Sequence, residues 1–356
     1  MDCHRQLPSG PWLGRQHWLA LAAWLAMAWL AGCRGAAAQG PKSLIGEPSE
    51  GSPALPRWSA ASNEGARSAG RAGWAVRPEA PAGGARRLPT REQLRVDFLD
   101  VGQGDAALVT SPAGKTVLID GGLAEAGETV LTFLGGRGIR TLDLVFLTHR
   151  HADHLGGLRA VVAEHGTRMF LDAPYPHEIQ EYQRLLGLLD QQHVPVRQAT
   201  RGRTIDLGEG ARLTLLGPPE PPISNTRSDV NSNSVVSRLD FGKIGIMFAA
   251  DAEAQTERSL LDSQANLRAA VLKVAHHGSR YSSTPKFLRA VQPLLAVISV
   301  GAGNEYHHPD AQTLDRLTRM GARVFRTDLD GPISIESDGA RIEVLVRGRK
   351  EVFQVP

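Results

Sequence analysis

Residues 148–154, with the sequence THRHADH, constrain this chain more than any other segment. The segment follows an apolar run at 142–147 that is typical of a buried strand, and it precedes a glycine pair that opens a helical pattern. Side chains at the end of a buried strand can point into one cavity, and this segment supplies three imidazoles and a carboxylate. Such ligands together suit borderline cations such as zinc or manganese. The segment therefore predicts a metal site rather than a solvated polar loop.

From Leu94 onward, short strand patterns alternate with helical patterns. Residues 94–101 show the alternation of a half-buried strand, and 116–120 contain a short buried one. Hairpin signals such as Ser-Asp-Gly at 337–339 argue against a purely parallel sheet, so the order indicates a mixed α/β fold. Further strands are predicted at 142–147, 169–171, 211–216, 235–241, 244–249, 270–274, 295–300, 324–327, 333–336 and 340–346. Helices are predicted at 155–165, 178–193, 254–261, 285–291 and 310–320.

Eight more motifs accompany the histidine-rich segment, in order, across residues 94–340. They are DVGQGDA at 100–106, LIDGG at 118–122, NSNSVV at 231–236, ADAE at 250–253, LKVAHHGS at 272–279, ISVG at 298–301, NEYHHP at 304–309 and RTDLDG at 326–331. Taken together, the chain resembles the metallo-β-lactamase family, and within it the hydrolase domain of the ComEC competence proteins. The resemblance implies an αββα sandwich over residues 93–350. No apolar run of about 20 residues follows the N-terminal region, so only the hydrolase module of ComEC is shared.

The resemblance also implies a centre of two divalent ions, zinc or manganese. Six residues would hold them: His149 and His151 the first ion, Asp153 and His154 the second, Asp251 both ions as a bridge, and His277 the second ion. Asp251 could equally cap the helix predicted at 254–261, and the two roles are compatible.

The roles of His276 and His277 stay open at this point. His277 is the expected ligand and His276 the expected contact to the substrate phosphate, but the assignment could be exchanged. Adjacent residues point to opposite faces at the end of a strand, so only one of the pair is expected to share a face with the other ligands.

Further residues are expected around the ligands. Catalytic roles are implied for Asp153, His276 and His308. Asp105, Asp120 and Asn233 are expected to contact the ligands on the side away from the metal ions. Substrate binding is implied for Lys273 and Ser279, with Arg280 and Tyr281 nearby. Asp105 and Asp120 could instead only stabilise turns, because each adjoins glycines.

One histidine of the general lactamase pattern is absent between the first loop and the bridging aspartate. His165, His177 and His193 fall in helical patterns, and none follows a strand. The region offers Asn231, Asn233 and Ser234 instead, as ComEC-like proteins also do. The first metal site is therefore expected to be open or completed by water, and to bind its ion weakly.

The N-terminal residues have a different composition. An apolar run of about 13 residues precedes Leu-Ala-Gly-Cys at 30–33, the length of a signal-peptide core and too short to span a bilayer. This resembles a bacterial lipobox, which implies a lipoprotein signal peptide over residues 1–33 and a lipid anchor on Cys33. An ordinary secretory signal cleaved after Ala38 is the alternative. Because arginine follows the cysteine, the pattern hints at the outer membrane or the cell surface.

Residues 34–92 are rich in Ala, Gly, Pro, Ser and Arg, and predict a disordered basic linker. Nine basic and five acidic side chains lie in this stretch, whereas residues 93–356 carry 29 basic and 31 acidic ones. The basic pI of about 9.0 therefore does not describe the predicted domain. This distribution argues against a protein that coats nucleic acid through general positive charge.

These features predict an exported metal-dependent hydrolase in which two ions generate hydroxide from a bridging water. No G-x-S-x-G elbow is present, and no protein nucleophile is required. DNA, or another phosphodiester polymer, is the expected substrate, and no protein partner is predicted. The alternatives are a phosphorylcholine-esterase-like enzyme of the cell wall, a β-lactam or lactone hydrolase, and a tethered binding module with an inactive site.

Overall fold

The computed structural model describes residues 93–355. The predicted signal peptide at 1–33, Cys33 within it, and the linker predicted at 34–92 lie outside the described residues. Within the described part, no helix combines the length and the apolar composition needed to cross a bilayer.

The strands of the described part range from two to six residues. In chain order they are β1 (Leu94–Phe98), β2 (Ala107–Thr110), β3 (Thr116–Ile119), β4 (Thr141–Leu142), β5 (Leu144–Phe146), β6 (Gly166–Thr167), β7 (Phe170–Asp172), β8 (Val196–Gln198), β9 (Thr204–Gly208), β10 (Ala211–Leu215), β11 (Ser237–Phe241), β12 (Ile244–Phe248), β13 (Val271–Lys273), β14 (Leu295–Ile298), β15 (Arg323–Arg326), β16 (Ile333–Ser337), β17 (Arg341–Val346) and β18 (Arg349–Gln354).

The helices lie between the strands and pack on the outside of the sheets. In chain order they are α1 (Gly127–Gly136), α2 (Ala152–Leu155), α3 (Leu158–Glu164), α4 (Gln180–Gln191), α5 (Asp229–Ser232), α6 (Ala254–Asp262), α7 (Pro285–Val291), α8 (Ala311–Arg319) and α9 (Thr327–Asp330). Two 3₁₀ turns occur at Ala124–Ala126 and Ala275–Gly278. Asp310 caps α8, because its side chain accepts a hydrogen bond from the backbone N–H of Gln312.

Two large mixed sheets form the centre of the fold. The first has the order β18-β17-β16-β1-β2-β3-β5-β7-β8 and the second β15-β14-β13-β12-β11-β10-β9. In each sheet an antiparallel portion adjoins a parallel one, β3-β5-β7-β8 in the first and β12-β13-β14-β15 in the second. Parallel neighbours end at the same edge, so loops that follow them lie together.

Side-chain alternation produces four layers. In β5, Leu144 and Phe146 face the second sheet, whereas Val145 packs against the helices on the opposite side. The second sheet has the same arrangement, with Ile246 in the central core and Met247 facing its own helices. Helices thus cover both outer faces of two packed sheets, which is the mixed α/β sandwich expected for a metallo-β-lactamase fold.

Close backbone contacts hold the LIDGG and DVGQGDA loops against the histidine-rich segment and the residues that follow it. The backbone N–H of Gly121 donates to His154 O at 2.8 Å. A Cβ at Gly157 would lie 2.1 Å from the carbonyl oxygen of Gly121, and one at Gly104 would lie 2.3 Å from that of Asp153. Glycine is therefore required at both positions, because any side chain would separate the LIDGG and DVGQGDA loops from the histidine-rich segment.

Some predicted boundaries differ from those of the structure. Helix α4 begins at Gln180 rather than at 178, and His177, which was assigned to a helical pattern, lies in the loop before it. The predicted domain end at 350 cuts through β18, which pairs with β17 as far as Gln354. The sequence did not predict α1, because glycines occupy both of its ends and weaken the helical pattern.

Candidate metal centre

The candidate ligands lie at the ends of strands from both sheets. The histidine-rich segment follows β5 in the first sheet and leads into α2. Asp251 follows β12, and the His276–His277 pair follows β13, the parallel neighbour of β12 in the second sheet. The fold therefore gathers at one edge residues that are more than 90 positions apart in the sequence.

One set of candidate ligands, the first ligand group, consists of His149, His151 and Asp251. One ligand atom from each lies within 4.8 Å of the others. His149 Nε2 is 3.2 Å from His151 Nδ1 and 3.7 Å from Asp251 Oδ2. His149 and Asp251 are buried, whereas His151 is partly exposed at the surface of a cleft.

A second set, the second ligand group, consists of Asp153, His154 and His277. Nε2 of His277 is 3.2 Å from Asp153 Oδ2, and Nε2 of His154 is 4.0 Å from the same oxygen. Oδ1 of Asp251 lies 3.3 Å from His154 Nε2 and 3.8 Å from His277 Nε2. Asp251 therefore presents one oxygen to each group.

Three buried atoms that lie within 4 Å of Asp251 Oδ1 or include it have no hydrogen-bond partner. They are His154 Nε2, His277 Nε2 and Asp251 Oδ1 itself. Buried polar atoms are nearly always paired, so a convergent set without partners indicates a ligand that the protein atoms do not supply. Imidazole nitrogens and carboxylate oxygens at this spacing fit divalent cations, one at each group.

Hydrogen bonds to the Nδ1 atoms orient the two imidazoles of the second ligand group. Asp120 Oδ2 lies 2.8 Å from His154 Nδ1, and its carboxylate also accepts hydrogen bonds from the backbone N–H and hydroxyl of Thr148. His277 Nδ1 donates to the carbonyl oxygen of Ser299 at 2.9 Å. Each ring therefore turns Nε2 toward the centre, which is how a metal-binding histidine is commonly held.

Charge within this cluster changes the pKa of its imidazoles. Burial lowers the pKa of His277, but the carboxylates of Asp251 and Asp105 outweigh burial and raise it to about 10. Burial also opposes the charged form of His154, and nearby carboxylates again raise the pKa well above its usual value. The cluster of aspartates thus attracts positive charge, and a divalent cation would have to displace protons to bind.

The His276–His277 pair does not follow strand geometry. Both residues have left-handed backbone conformations, with φ of 51°, within the 3₁₀ turn after β13. Their rings consequently reach the same carboxylate, with His276 Nε2 at 3.7 Å from Asp251 Oδ2. The expectation that only one of the two would face the other ligands was wrong, because the turn replaces the alternation of the strand.

A carboxylate that the sequence did not identify supports His276. Glu253 Oε1 is 3.5 Å from His276 Nδ1 and accepts a hydrogen bond of 2.7 Å from Arg227. Asn231 Nδ2 lies 3.3 Å from His276 Nε2. The ring of His308 meets that of His276 edge-on at 5.7 Å. The signal for Glu253 was present in the ADAE motif, two residues after Asp251.

A second missed contact supports the histidine-rich segment from outside. Arg150 donates hydrogen bonds to Asp172 at 2.9 Å and to the carbonyl oxygen of Ala173 at 3.0 Å, and its guanidinium lies 3.8 Å from the ring centre of Tyr182. Tyr182 donates to the same carboxylate at 2.7 Å. This buried network fixes the loop between His149 and His151.

Two residues expected at the site lie elsewhere. Lys273 is 3% exposed and forms a buried ion pair with Asp105 beneath the ligands, so it is not available to bind substrate. Asn233 uses its side chain to hold Ile223 and Asp229, and none of its hydrogen bonds reaches a candidate ligand. Its neighbour Asn231 occupies the position beside His276.

An open cleft of about 950 Å³ gives access to the centre. Its lining includes His151, Asp153, His276, Ser279 and His308. His177, which the sequence placed in a helix, also lines this cleft, with its ring 5.5 Å from that of His151. Burial lowers the pKa of His308 to about 4, with the positive charge of His276 and His277 adding to the effect, so this ring is neutral near pH 7.

Known proteins share this sequence pattern. A family model described as the metallo-beta-lactamase superfamily matches residues 99–302. ComE operon protein 3 of Bacillus subtilis (strain 168) is 30% identical over 256 residues, which cover 67% of this chain and 32% of that protein. Competence protein ComA of Neisseria gonorrhoeae is 31% identical over 259 residues, which cover 72% of this chain and 33% of that protein. The chain thus spans about a third of the length of these two relatives.

A solved structure is similar to this chain at lower sequence identity. The metallo-beta-lactamase fold protein YhfI from Bacillus subtilis is 16% identical, with a TM-score of 0.44. The match covers 65% of this chain and 96% of YhfI.

Proposed function

Because the chain belongs to the metallo-β-lactamase superfamily and is ComEC-like, we propose that it is a metal-dependent phosphodiesterase with DNA as its leading substrate. The observation that carries the proposal is the position of Asp251, which presents one carboxylate oxygen to each ligand group. Two divalent ions bound there would lower the pKa of a nucleophilic water and neutralise charge on the phosphate oxygens.

Each ligand group would bind one of the two ions. In this proposal His149, His151 and Asp251 hold the first ion, and Asp153, His154 and His277 hold the second, with Asp251 between them. Asp120 and Asp105 orient the buried imidazoles and balance their charge. The first site keeps an open position beside the cleft, as its three ligands and the partly exposed His151 allow.

The side chains on the cleft side would bind and orient the phosphate. We assign His276 to this role, since the carboxylate of Glu253 lies 3.5 Å from its Nδ1 and its Nε2 faces Asp251 and Asn231. His308 is neutral near pH 7 and can accept a hydrogen bond from an approaching group. Ser279 is buried in the cleft wall next to the turn that carries His276, so it would shape the cleft around the substrate.

Two observations support a nucleic acid rather than a neutral substrate. The similar proteins carry names that refer to competence, as in ComE operon protein 3 and competence protein ComA. The cleft is lined by Arg227 and Arg280, whose side chains are half exposed or more. Guanidinium groups suit phosphate oxygens, and two bound divalent ions would add further positive charge.

Turnover by the purified chain would test the proposal. Protein stripped by chelation and reloaded with zinc or manganese is incubated with single- and double-stranded DNA, RNA, bis-p-nitrophenyl phosphate, a phosphorylcholine ester and a β-lactam. We expect phosphodiester cleavage that chelation abolishes and metal restores. Hydrolysis of the choline ester or the lactam alone would contradict the substrate assignment.

The variant Asp251→Asn separates an enzyme from an inert binding module. It should abolish cleavage while leaving the circular dichroism of the folded domain unchanged. Asp262→Asn, an exposed carboxylate at the end of α6, is the matched control and should keep full activity. DNA binding with no cleavage in any metal would favour the binding module.

We further propose that the protein is exported and anchored to the bacterial envelope through a lipid on Cys33, with residues 34–92 as a tether. The basis is the lipobox-like sequence at 30–33. Cys33→Ser should move the protein from the membrane fraction to the soluble fraction, while Cys3→Ser should leave it at the membrane. Membrane retention of the Cys33→Ser protein would contradict the anchor.

A further inference from the structure

Exposed aromatic rings beside the candidate centre are the feature that the phosphodiesterase proposal does not use. Among the residues that the structure describes, four large apolar side chains are exposed, and two of them, Tyr281 and Tyr306, line the cleft that leads to the centre. Tyr306 is the most exposed of the four, at 59%. A water-exposed ring at the mouth of a cleft offers a face on which a flat group can stack.

Tyr306 is exposed, yet its loop is held in place. The side chain of Asn304 donates hydrogen bonds to the carbonyl oxygens of Gly301 at 2.9 Å and His308 at 2.7 Å, and accepts one from the backbone N–H of His308 at 3.0 Å. The backbone N–H of Gly301 in turn donates to Gln103. A ring on a braced loop loses little freedom when a ligand stacks on it, which favours binding.

A row of aromatic rings connects Tyr306 to the centre. Tyr306 is stacked on His308 with ring centres 5.9 Å apart and an angle of 29° between the planes. His308 contacts His276 edge-on, and His276 contacts His277 in the same way at 6.2 Å. The exposed ring therefore lies at the outer end of this row, with the side chains of His308 and His276 between it and His277.

We propose that Tyr306 is a stacking platform for an unpaired nucleobase next to the scissile phosphate, which makes single-stranded nucleic acid the preferred substrate. The proposal rests on the phosphodiesterase function and specifies its substrate. Base stacking on aromatic side chains is the common means of binding single strands without a sequence requirement. Bases within a duplex are already stacked on one another and cannot use such a platform.

Charge argues against the other ligand that exposed tyrosines commonly bind, a quaternary ammonium group. Arg227 lies over the Tyr281 ring at 4.2 Å, and Arg280 lies 5.7 Å from it. One face of Tyr281 thus already carries a cation, so a choline group cannot use that face. The same arginines would attract the phosphates that flank a stacked base.

A comparison of base-bearing and abasic single strands tests this inference. The two oligonucleotides have the same length and phosphodiester backbone, but the second carries a run of tetrahydrofuran residues. We expect the metal-loaded protein to cleave the base-bearing strand with a kcat/KM about tenfold higher. Tyr306→Ala should bring the ratio of the two kcat/KM values close to one, and Tyr306→Phe, which keeps the ring, should preserve it.

Leu329→Ala is the matched control, since Leu329 is exposed to a similar extent, 54%, but does not line the cleft. This variant should preserve the ratio. A wild-type ratio of one, an unchanged ratio in Tyr306→Ala, or a preference for duplex DNA would overturn the inference.

Binding in the presence of EDTA separates this inference from the phosphodiesterase proposal. Fluorescence anisotropy of the same labelled strands should show about tenfold tighter binding of the base-bearing strand, and Tyr306→Ala should remove that difference. Base-dependent binding without cleavage in any metal would refute the enzyme and uphold the platform. Cleavage without base dependence would do the reverse.

Discussion

The two ligand groups differ in how firmly the protein holds them. In the second ligand group, both imidazoles are buried and each is hydrogen-bonded on the nitrogen that faces away from the centre, His154 to Asp120 and His277 to Ser299. In the first ligand group, His149 Nδ1 meets only the hydroxyl of Thr148, at 3.1 Å. Its other histidine, His151, is partly exposed at the cleft.

This difference indicates that two neighbouring metal sites need not be equally strong. Firm orientation of the ligands lowers the entropy lost when an ion binds, so the second site should bind tightly. The first site should bind more weakly and leave room for water and substrate. An open site beside a closed one is the arrangement that a hydrolytic centre requires.

The largest effect is expected from the residue that the groups share. Asp251→Ala should remove both ions and reduce turnover by at least about 10³-fold, because several kcal/mol of charge stabilisation are lost with them. Elemental analysis of the purified protein gives the metal content, and circular dichroism verifies folding. Retention of two ions per chain would refute the bridging role.

Removal of one histidine from each group should distinguish the two sites. His277→Ala and His151→Ala should both lose turnover, but the remaining metal should differ. His151→Ala should keep one tightly bound ion per chain after dialysis, whereas His277→Ala should keep none, because only the weaker first site remains intact. Equal metal content in the two variants would contradict the predicted ranking.

A smaller effect is expected from the carboxylate behind the ligands. Asp120 contacts His154 directly and reaches His149 only through the hydroxyl of Thr148. Asp120→Asn should therefore weaken binding at the second site by about 10- to 100-fold. Thr148→Val removes the hydroxyl contact to His149 and one of the hydrogen bonds to Asp120, so it should weaken the first site more than the second. Metal titration with a competing chelator measures both constants.

The smallest effect on the ions is expected from Arg150, which supports the first loop from outside. Arg150→Met leaves the buried carboxylate of Asp172 without its positively charged partner, so the free energy of unfolding should fall by about 3–5 kcal/mol at pH 7. Arg159→Met, which removes an exposed ion pair with Glu181, is the control and should change it by less than about 1 kcal/mol.

The loss in Arg150→Met should depend on pH. Burial raises the pKa of Asp172, and Arg150 opposes that rise. Without Arg150 the pKa should rise further, so the destabilisation is full above this pKa and shrinks as the pH falls through it. Urea unfolding at pH 7 and pH 5 measures the difference between variant and wild type, and a difference that does not change with pH would exclude Asp172 as its cause.

The sequence predicted the strands of the core and the loops that carry the ligands, because both have strong local patterns. Alternation located β1, and the histidine-rich motif located the site. It did not reveal the roles of Lys273 and Asn233, since burial and pairing depend on contacts with residues far away in the chain. Nor does hydrophobic pattern encode left-handed backbone, which is why the orientation of His276 was mistaken.

Each ligand group takes members from both sheets, and these members lie far apart along the chain. Neither sheet supplies a complete ligand group alone, so an ion would find its full set of ligands only after the two sheets have packed together. The free energy of metal binding then stabilises the packing of the two sheets against each other rather than either sheet by itself. Removal of the ions should therefore weaken the packing between the two sheets first. Metal binding should indicate that the two sheets have packed together.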